Sequence, residues 1–361
     1  MKSSKTTSRK QQHVDITLRE DVSHRTKTTG FEQWDFRHNA LPEINLSDIS
    51  TSTTFLGKPL SFPLIIASMT GGYAAAKRIN QQLAEICATK GLALGVGSQR
   101  QALENKLYHS SFTVVRNVSK EIPIFGNIGG TELLKPNAID NILRLADLIE
   151  ADGFAIHLNP LQEFLQPEGD TNFSGVLKAL ELLVKRISIP VLVKEIGAGI
   201  SATVASKVLD VGVQYIDVAG AGGTSWAGVE ILRTKFKSKQ EKKSVIDAFW
   251  DWGIPTVDAL REVAALRDNG TRSFKIIASG GLSNGVDMAK SVAFGANYVG
   301  VARPLLKELQ DGGKRAALKL LDRWEREFCG SMFLTGSQTI LDLQLIRTSF
   351  LCRGVYLAVS C

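Results

Sequence analysis

From Phe62 onward the chain repeats one pattern: a short, β-rich apolar run ends in glycine or a polar residue, and a helical stretch usually follows. The runs are PLIIASMTGG (63–72), GLALGVGSQR (91–100), PIFGNIGG (123–130), GFAIHLN (153–159), PVLVKEIG (190–197), VQYIDVAGAGG (213–223), KIIASGGL (275–282) and YVGVARP (298–304). Their interiors lack the polar alternation of a sheet with one wet face, so each strand is expected to be buried on both sides. Between them lie amphipathic helix candidates such as 74–90, 136–150 and 200–212. Eight buried strands alternating with helices imply parallel βα units with right-handed crossovers. Eight units between residue 62 and about residue 310 match the ~250 residues of a TIM (β/α)8 barrel. An open doubly wound sheet would need a reversal of strand order, and the polar residues fall where a barrel places its active site. The fold expected is therefore α/β, a TIM barrel.

Three segments lie outside the repeat. Residues 1–30 are polar, with seven basic and three acidic side chains, and predict a mobile arm running into a short helix or loop. Residues 31–61 carry irregularly spaced apolar positions and predict a packed extension; with the arm they form an N-terminal part, 1–61, of the same domain as the barrel, 62–330. A long insertion follows strand six: residues 224–274 hold a charged centre, KFKSKQEKK, which predicts a solvated segment. Trp226, Trp250 and Trp252 are expected to pack it down or cover a site. A long helix is expected after Gly313, and residues 331–361 form a C-terminal tail.

Composition adds exclusions. The 361 residues are 44% hydrophobic and 22% charged, enough to fill a large core. A net charge of +7 over this length does not suit a nucleic-acid-coating protein. No apolar stretch predicts a membrane span, and the first twenty residues lack the apolar core of a signal peptide. Four cysteines, far apart, give neither a disulfide framework nor a metal-ligand pair and suit a reducing cytoplasm. Neither nucleic acid nor membrane is an expected partner.

The chemistry collects at the strand ends. Gly280 and Gly281 precede a helix starting near Asn284, and Ala302 and Arg303 follow the last strand; glycine-turn and helix-terminal N–H groups there make an anion site of the kind barrels use for phosphate. Ser68, Met69 and Thr70 end strand one, Ser98, Gln99 and Arg100 strand two, Asn127 strand three, Lys194 strand five and Thr224 strand six. Polar groups from many strands around one phosphate site suit flavin mononucleotide, with a lysine stabilising its anionic reduced form. A buried lysine also invites a carboxylate such as Glu163 or Glu195. Strand four is the most loaded: alternation places His157 and Asn159 on one face toward the mouth, followed by Gln162 and by Glu163, whose carboxylate suits Mg²⁺ on a diphosphate.

ASMTGG, GVGSQR, HLNPLQE, the lysine after PVLV, GAGGTSW, ASGGL, VARPLL and the N-terminal RKxxH occur in the order and spacing of the type 2 isopentenyl-diphosphate Δ-isomerases. The resemblance covers roughly residues 9–340. It implies substrate binding by Arg9, Lys10, Ser98, Gln99, Arg100 and Gln162, so the arm becomes a substrate clamp. It implies FMN contacts at Ser68, Met69, Thr70, Ser98, Asn127, Lys194, Thr224, Gly280, Gly281, Leu282, Ala302 and Arg303, and Mg²⁺ at Glu163. It further implies reduced flavin supplied through NADPH, and a homo-oligomer, a tetramer or octamer.

Moving a double bond adds a proton to one carbon and removes one from another, and alkenes are such weak bases that a strong, positioned acid in a dry site is needed. Reduced FMN is expected to assist, with His157, Asn159 and Gln162 placing the allylic fragment. Two departures stand out: Ala219 replaces a serine found in many members, and the chain ends in LIRTSFLCRGVYLAVSC where the family usually continues with a polar helix. Two other classes stay open. One is an FMN oxidoreductase on the same barrel, of the 2-hydroxy-acid oxidase or inosinate-dehydrogenase-like type, the latter needing a loop cysteine where Cys87 predicts helix. The other is a non-enzymatic anion binder.

Overall fold

The computed structural model describes residues 5–268, 272–346 and 350–352. Eight parallel strands close on themselves: β1 (Leu64–Ile66), β2 (Ala93–Gly95), β3 (Ile124–Gly129), β4 (Gly153–His157), β5 (Val191–Lys194), β6 (Tyr215–Asp217), β7 (Lys275–Ser279) and β8 (Tyr298–Val301). Chain order is sheet order, and β8 pairs with β1, Gly300 opposite Ile65, so the sheet has no edge. The expected TIM barrel is the observed fold, each strand inside its apolar run.

The period of two survives inside those runs. Leu64 and Ile66 pack outward with the helices, while Ile65 faces inward with Ala93, Phe125, Leu192 and Ile277. Both faces are apolar because one meets helices and the other the barrel's own interior. An antiparallel hairpin, Thr53–Phe55 with Lys58–Leu60, plugs the N-terminal end. Phe55 sets its ring edge-on to Phe125, Tyr215 and Tyr298 at 6.1, 5.5 and 4.9 Å. The C-terminal end stays open as a mouth.

The expected helices appear as Ala76–Lys90, Ala138–Leu148 and Ala202–Asp210, with Cys87 buried in the first. The insertion after β6 folds into three helices, Trp226–Arg233, Lys239–Phe249 and Thr256–Asp268. The second buries none of its residues, as its charge implied. The last long helix starts earlier than expected: Arg303–Thr335 begins at the end of β8 and bends at Gly313, where φ is 68° and ψ −170°.

The N-terminal segment differs most from expectation. Lys5–Arg19 is one continuous helix of 15 residues laid over the mouth, against helices Trp226–Arg233 and Arg303–Thr335. A segment this polar buries little apolar surface, and docking on polar groups at the rim holds it in place. At the other end, Ile340–Leu345 is closed by a Thr339–Asp342 capping box and buries Leu343. Phe350–Cys352 then pairs with Trp34–Phe36, and the Phe350 ring stacks 4.2 Å from Phe294. The expectation of an atypical tail extends over residues 353–361, which lie outside the described residues. Among the described residues no helix is long and apolar enough to cross a membrane.

Candidate active site

The mouth leads into a cavity of about 460 Å³ lined from the ends of all eight strands and roofed by the N-terminal helix. Every residue expected at the site lines this cavity except Gln99. Gln99 is fully buried beside it: its amide donates to Leu145 O at 3.0 Å and accepts from Asn127 N at 3.2 Å. That side chain is engaged by β3 and by Leu145, and it does not line the cavity.

The phosphate end is built differently from the expectation. Helix Gly285–Ala293 does start after β7, but its N-terminus is filled by the protein itself. Gly285 N donates to Glu327 Oε2 at 2.7 Å and Asp287 N to Asn284 Oδ1 at 2.8 Å. What faces the cavity is the backbone of Gly280, Gly281 and Leu282. Gly281 has φ of 80°, and a Cβ there would come 2.5 Å from Thr29 Cγ2 and 2.8 Å from the Gly222 carbonyl carbon. Only glycine fits that turn. Arg303 brings its backbone to the same end, but its guanidinium turns to the N-terminal helix, donating to Thr17 O, Glu20 O and Ser23 Oγ at 3.0 Å each.

At the end of β5, Lys194 is buried. Its ammonium lies 3.9 Å from Asp217 Oδ2 and donates to the Glu195 carbonyl. The carboxylate beside it is thus Asp217, from β6, and neither Glu163 nor Glu195. Asp217 is held by Ser279 Oγ at 2.6 Å, while Glu195 turns away to accept from the N–H groups of Ile196, Gly197 and Ala198. Burial raises both acids' pKa values, and the Lys194 charge opposes the rise.

Strand β4 and the turn after it deliver a chain of amides. His157 Nδ1 is 2.9 Å from Asn127 Oδ1, an acceptor that favours the tautomer with its proton on Nδ1. Burial, then the charges of Lys194, Lys10 and Arg9, push its pKa down to about 3. His157 is therefore neutral at physiological pH. Asn159 Nδ2 donates to Gln162 Oε1 at 2.9 Å and to Glu163 Oε1 at 3.0 Å. Gln162 Nε2 in turn donates to Glu230 Oε1 at 2.9 Å.

Glu230 is the residue that sequence reasoning missed. Fully buried on the first insertion helix, it gathers Gln162, His13 Nε2 at 2.9 Å and Arg233 Nε at 2.8 Å. Burial alone would raise its pKa; the contacts with His13 and Arg233 outweigh that and hold it below the usual carboxylate range. The available signal was a lone acid inside the apolar stretch AGVEIL. Trp226 covers the site as expected, edge-on to His13 at 5.4 Å.

Three cations line the rim. Lys10 Nζ donates to Gly71 O at 3.0 Å and to Ser98 O. Burial first, then the neighbouring Arg9 charge, pushes its pKa down to about 7. Burial and Arg100 likewise lower that of Arg9. Arg100 lies 3.3 Å from Glu132 and 3.5 Å from Glu104.

A family described as FMN-dependent dehydrogenase matches residues 3–109 and 155–348. The isopentenyl-diphosphate delta-isomerase of Pelodictyon phaeoclathratiforme is 47% identical over 346 residues, 94% of this chain and 96% of that one. That of Pseudescherichia vulneris is 42% identical over 95% of this chain and 97% of its own. The chain belongs to the isopentenyl-diphosphate delta-isomerase family. The barrel agrees with the solved structures it resembles. A lactate oxidase from Pediococcus acidilactici has a TM-score of 0.66 at 17% identity, covering 95% of this chain and 87% of its own. A flavocytochrome b2 variant has 0.69 at 16%, covering 97% and 85%. At such identities the likeness is one of fold.

The isomerase family's FMN is compatible with the cavity. Ser68 Oγ is buried against it with no partner among the described residues, and the Gly280–Gly281 turn that lines it has no room for a side chain against Gly220, Gly222 and Thr29. Ala219, at the β6 end with φ of 39°, lines the cavity without a polar group.

Proposed function

We propose that this chain interconverts isopentenyl and dimethylallyl diphosphate by proton addition and removal. The observation that carries the reading is the division of the cavity. Arg9, Lys10 and Arg100 crowd the rim, while the neutral His157, Asn159 and Gln162 line the interior together with Trp226 and the N-terminal helix. A doubly phosphorylated head on a five-carbon alkene has the same division. Guanidinium and ammonium groups hold the head, and the neutral side chains of His157, Asn159 and Gln162 face the hydrocarbon.

Reduced FMN, when bound, would supply an acidic, charge-stabilising ring. Ser68, Met69, Thr70, Ser98, Asn127, Thr224, Gly280, Gly281, Leu282 and Ala302 would hold it, and Lys194 would offset negative charge on its ring. Asn159 fixes Gln162, and Gln162 is backed by Glu230, so an amide is held rigidly at the place where a proton must be passed or received. Glu163 fits Mg²⁺ as a single carboxylate shared with substrate phosphates and water, the usual manner for that ion. Among the described residues no cluster of three or more metal-binding side chains exists. NADPH as reductant, a tetramer or octamer as the working form and a cytoplasmic site complete the proposal; the free thiols Cys87 and Cys329 suit the last. Residues 1–61 act in it as part of the barrel domain, because they bring Arg9 and Lys10 to the rim.

The test is turnover of isopentenyl diphosphate by reduced, FMN-loaded protein with Mg²⁺. Product without net loss of NADPH supports the isomerase. Stoichiometric NADPH consumption, or 2-hydroxy-acid oxidation, would give the chain to the oxidoreductases, and protein purified without yellow colour that binds nucleic acid would favour a simple anion binder.

A further inference from the structure

The N-terminal helix, Lys5–Arg19, is joined to the barrel by two attachments of different kinds. Its first half reaches across the mouth, Lys10 to Gly71 and Ser98, His13 to Glu230. Beyond its C-terminus, residues 22–29 are fixed to the barrel by main chain. Ser225 N donates to Val22 O at 2.7 Å, His24 N to Gly223 O at 3.0 Å and Val257 N to Thr29 O at 3.0 Å, while Trp250 Nε1 donates to Ser23 O at 2.9 Å. Between the two lie Glu20 and Asp21, both exposed. That joint decides the angle at which the helix crosses the mouth.

Arg303 spans it. Its Nε binds Thr17 O on the helix, Nη2 binds Glu20 O at the joint and Nη1 binds Ser23 Oγ on the fixed segment. The carbonyls at a helix C-terminus carry partial negative charge and lack intrahelical donors, so a guanidinium there is favoured twice over. Its planar fork fixes three acceptors at once, which a point charge cannot. The same residue's backbone, next to Ala302, sits at the phosphate end of the cavity.

We propose that the Arg303 side chain is a positioning residue that latches the N-terminal helix over the mouth, and that it ties the lid to the end of the cavity where the cofactor phosphate would sit. The consequence for substrate rests on the function proposed above, because Arg9 and Lys10 ride on the helix so held. Loss of the latch frees the helix to swing about residues 20–21 and takes both cations from the rim, while the hydrogen bond from Gln162 to Glu230 stays within the barrel.

The test uses the full-length, FMN-loaded protein and its R303Q and R303K variants. Amide hydrogen exchange over residues 5–19 is expected to rise at least tenfold in R303Q while residues 22–29 keep their protection. With isopentenyl diphosphate and Mg²⁺, kcat/KM should fall about tenfold, mostly through KM, and flavin content should be retained. R303K keeps the charge but not the fork and should recover only part of each effect; it also serves if R303Q does not fold. Parental exchange over 5–19 in the variants would overturn the latch. So would loss of FMN with parental exchange in the protein still loaded, which would make the side chain a cofactor ligand. The exchange result needs no turnover, so a protein without isomerase activity refutes the function and leaves the latch to be decided separately.

Discussion

His13 Nε2, on the N-terminal helix, stands 2.9 Å from Oε1 of Glu230, and the same oxygen accepts from the Gln162 amide. One buried carboxylate thus fastens the lid and orients the amide nearest the proposed chemistry. Glu230→Gln should leave flavin content intact and lower kcat about 10²-fold, the usual cost of losing one preorganised polar contact. Retention of the parental kcat would show that Gln162 needs no such backing.

Lys10 gives the binding step a pH dependence. Its ammonium is disfavoured by burial and by Arg9, so in the free protein it titrates at about 7. A diphosphate beside it favours the charged form and raises that value in the complex. Binding is then insensitive to Lys10 below pH 7, where the group is protonated in both states. Above pH 7 binding must take up a proton, so KM rises with pH until the pKa of the complex is passed. Lys10→Arg, always charged, should flatten that limb. A KM profile equally steep in the variant would assign the titration to another group.

Lys194 lies near Asp217 in a buried setting. Lys194→Ala removes the positive charge proposed to face the flavin ring and should cut turnover by about 10²-fold or more, a typical electrostatic contribution. Normal FMN binding and reduction together with parental turnover would count against that role.

Glu163 keeps one carboxylate oxygen 3.0 Å from Asn159 Nδ2 and the other 2.7 Å from Asp170 N. Glu163→Gln should shift the Mg²⁺ titration of activity to higher concentration with flavin content unchanged, since an amide binds a hard cation less well than a carboxylate. An unshifted titration would place the metal elsewhere.

The barrel was legible in the sequence because each strand's burial is a local property. A strand covered by helices on one side and by its own barrel on the other must be apolar at every position, and eight such runs at βα spacing leave few arrangements. The positions of His157, Asn159, Gln162 and Lys194 follow from the same logic, since a polar residue ending a buried strand has only the mouth to face. Gln99 broke that rule, because one amide could satisfy both Leu145 O and Asn127 N inside the wall. The N-terminal helix, the partners of Glu230 and the direction of Arg303 were decided by tertiary structure alone. Arg303 meets Thr17 across 286 residues of chain, and no local pattern of apolar and polar positions records which distant carbonyls a guanidinium will find. A strand's core is written in its own residues; a polar contact is written in two places, and only folding brings them together.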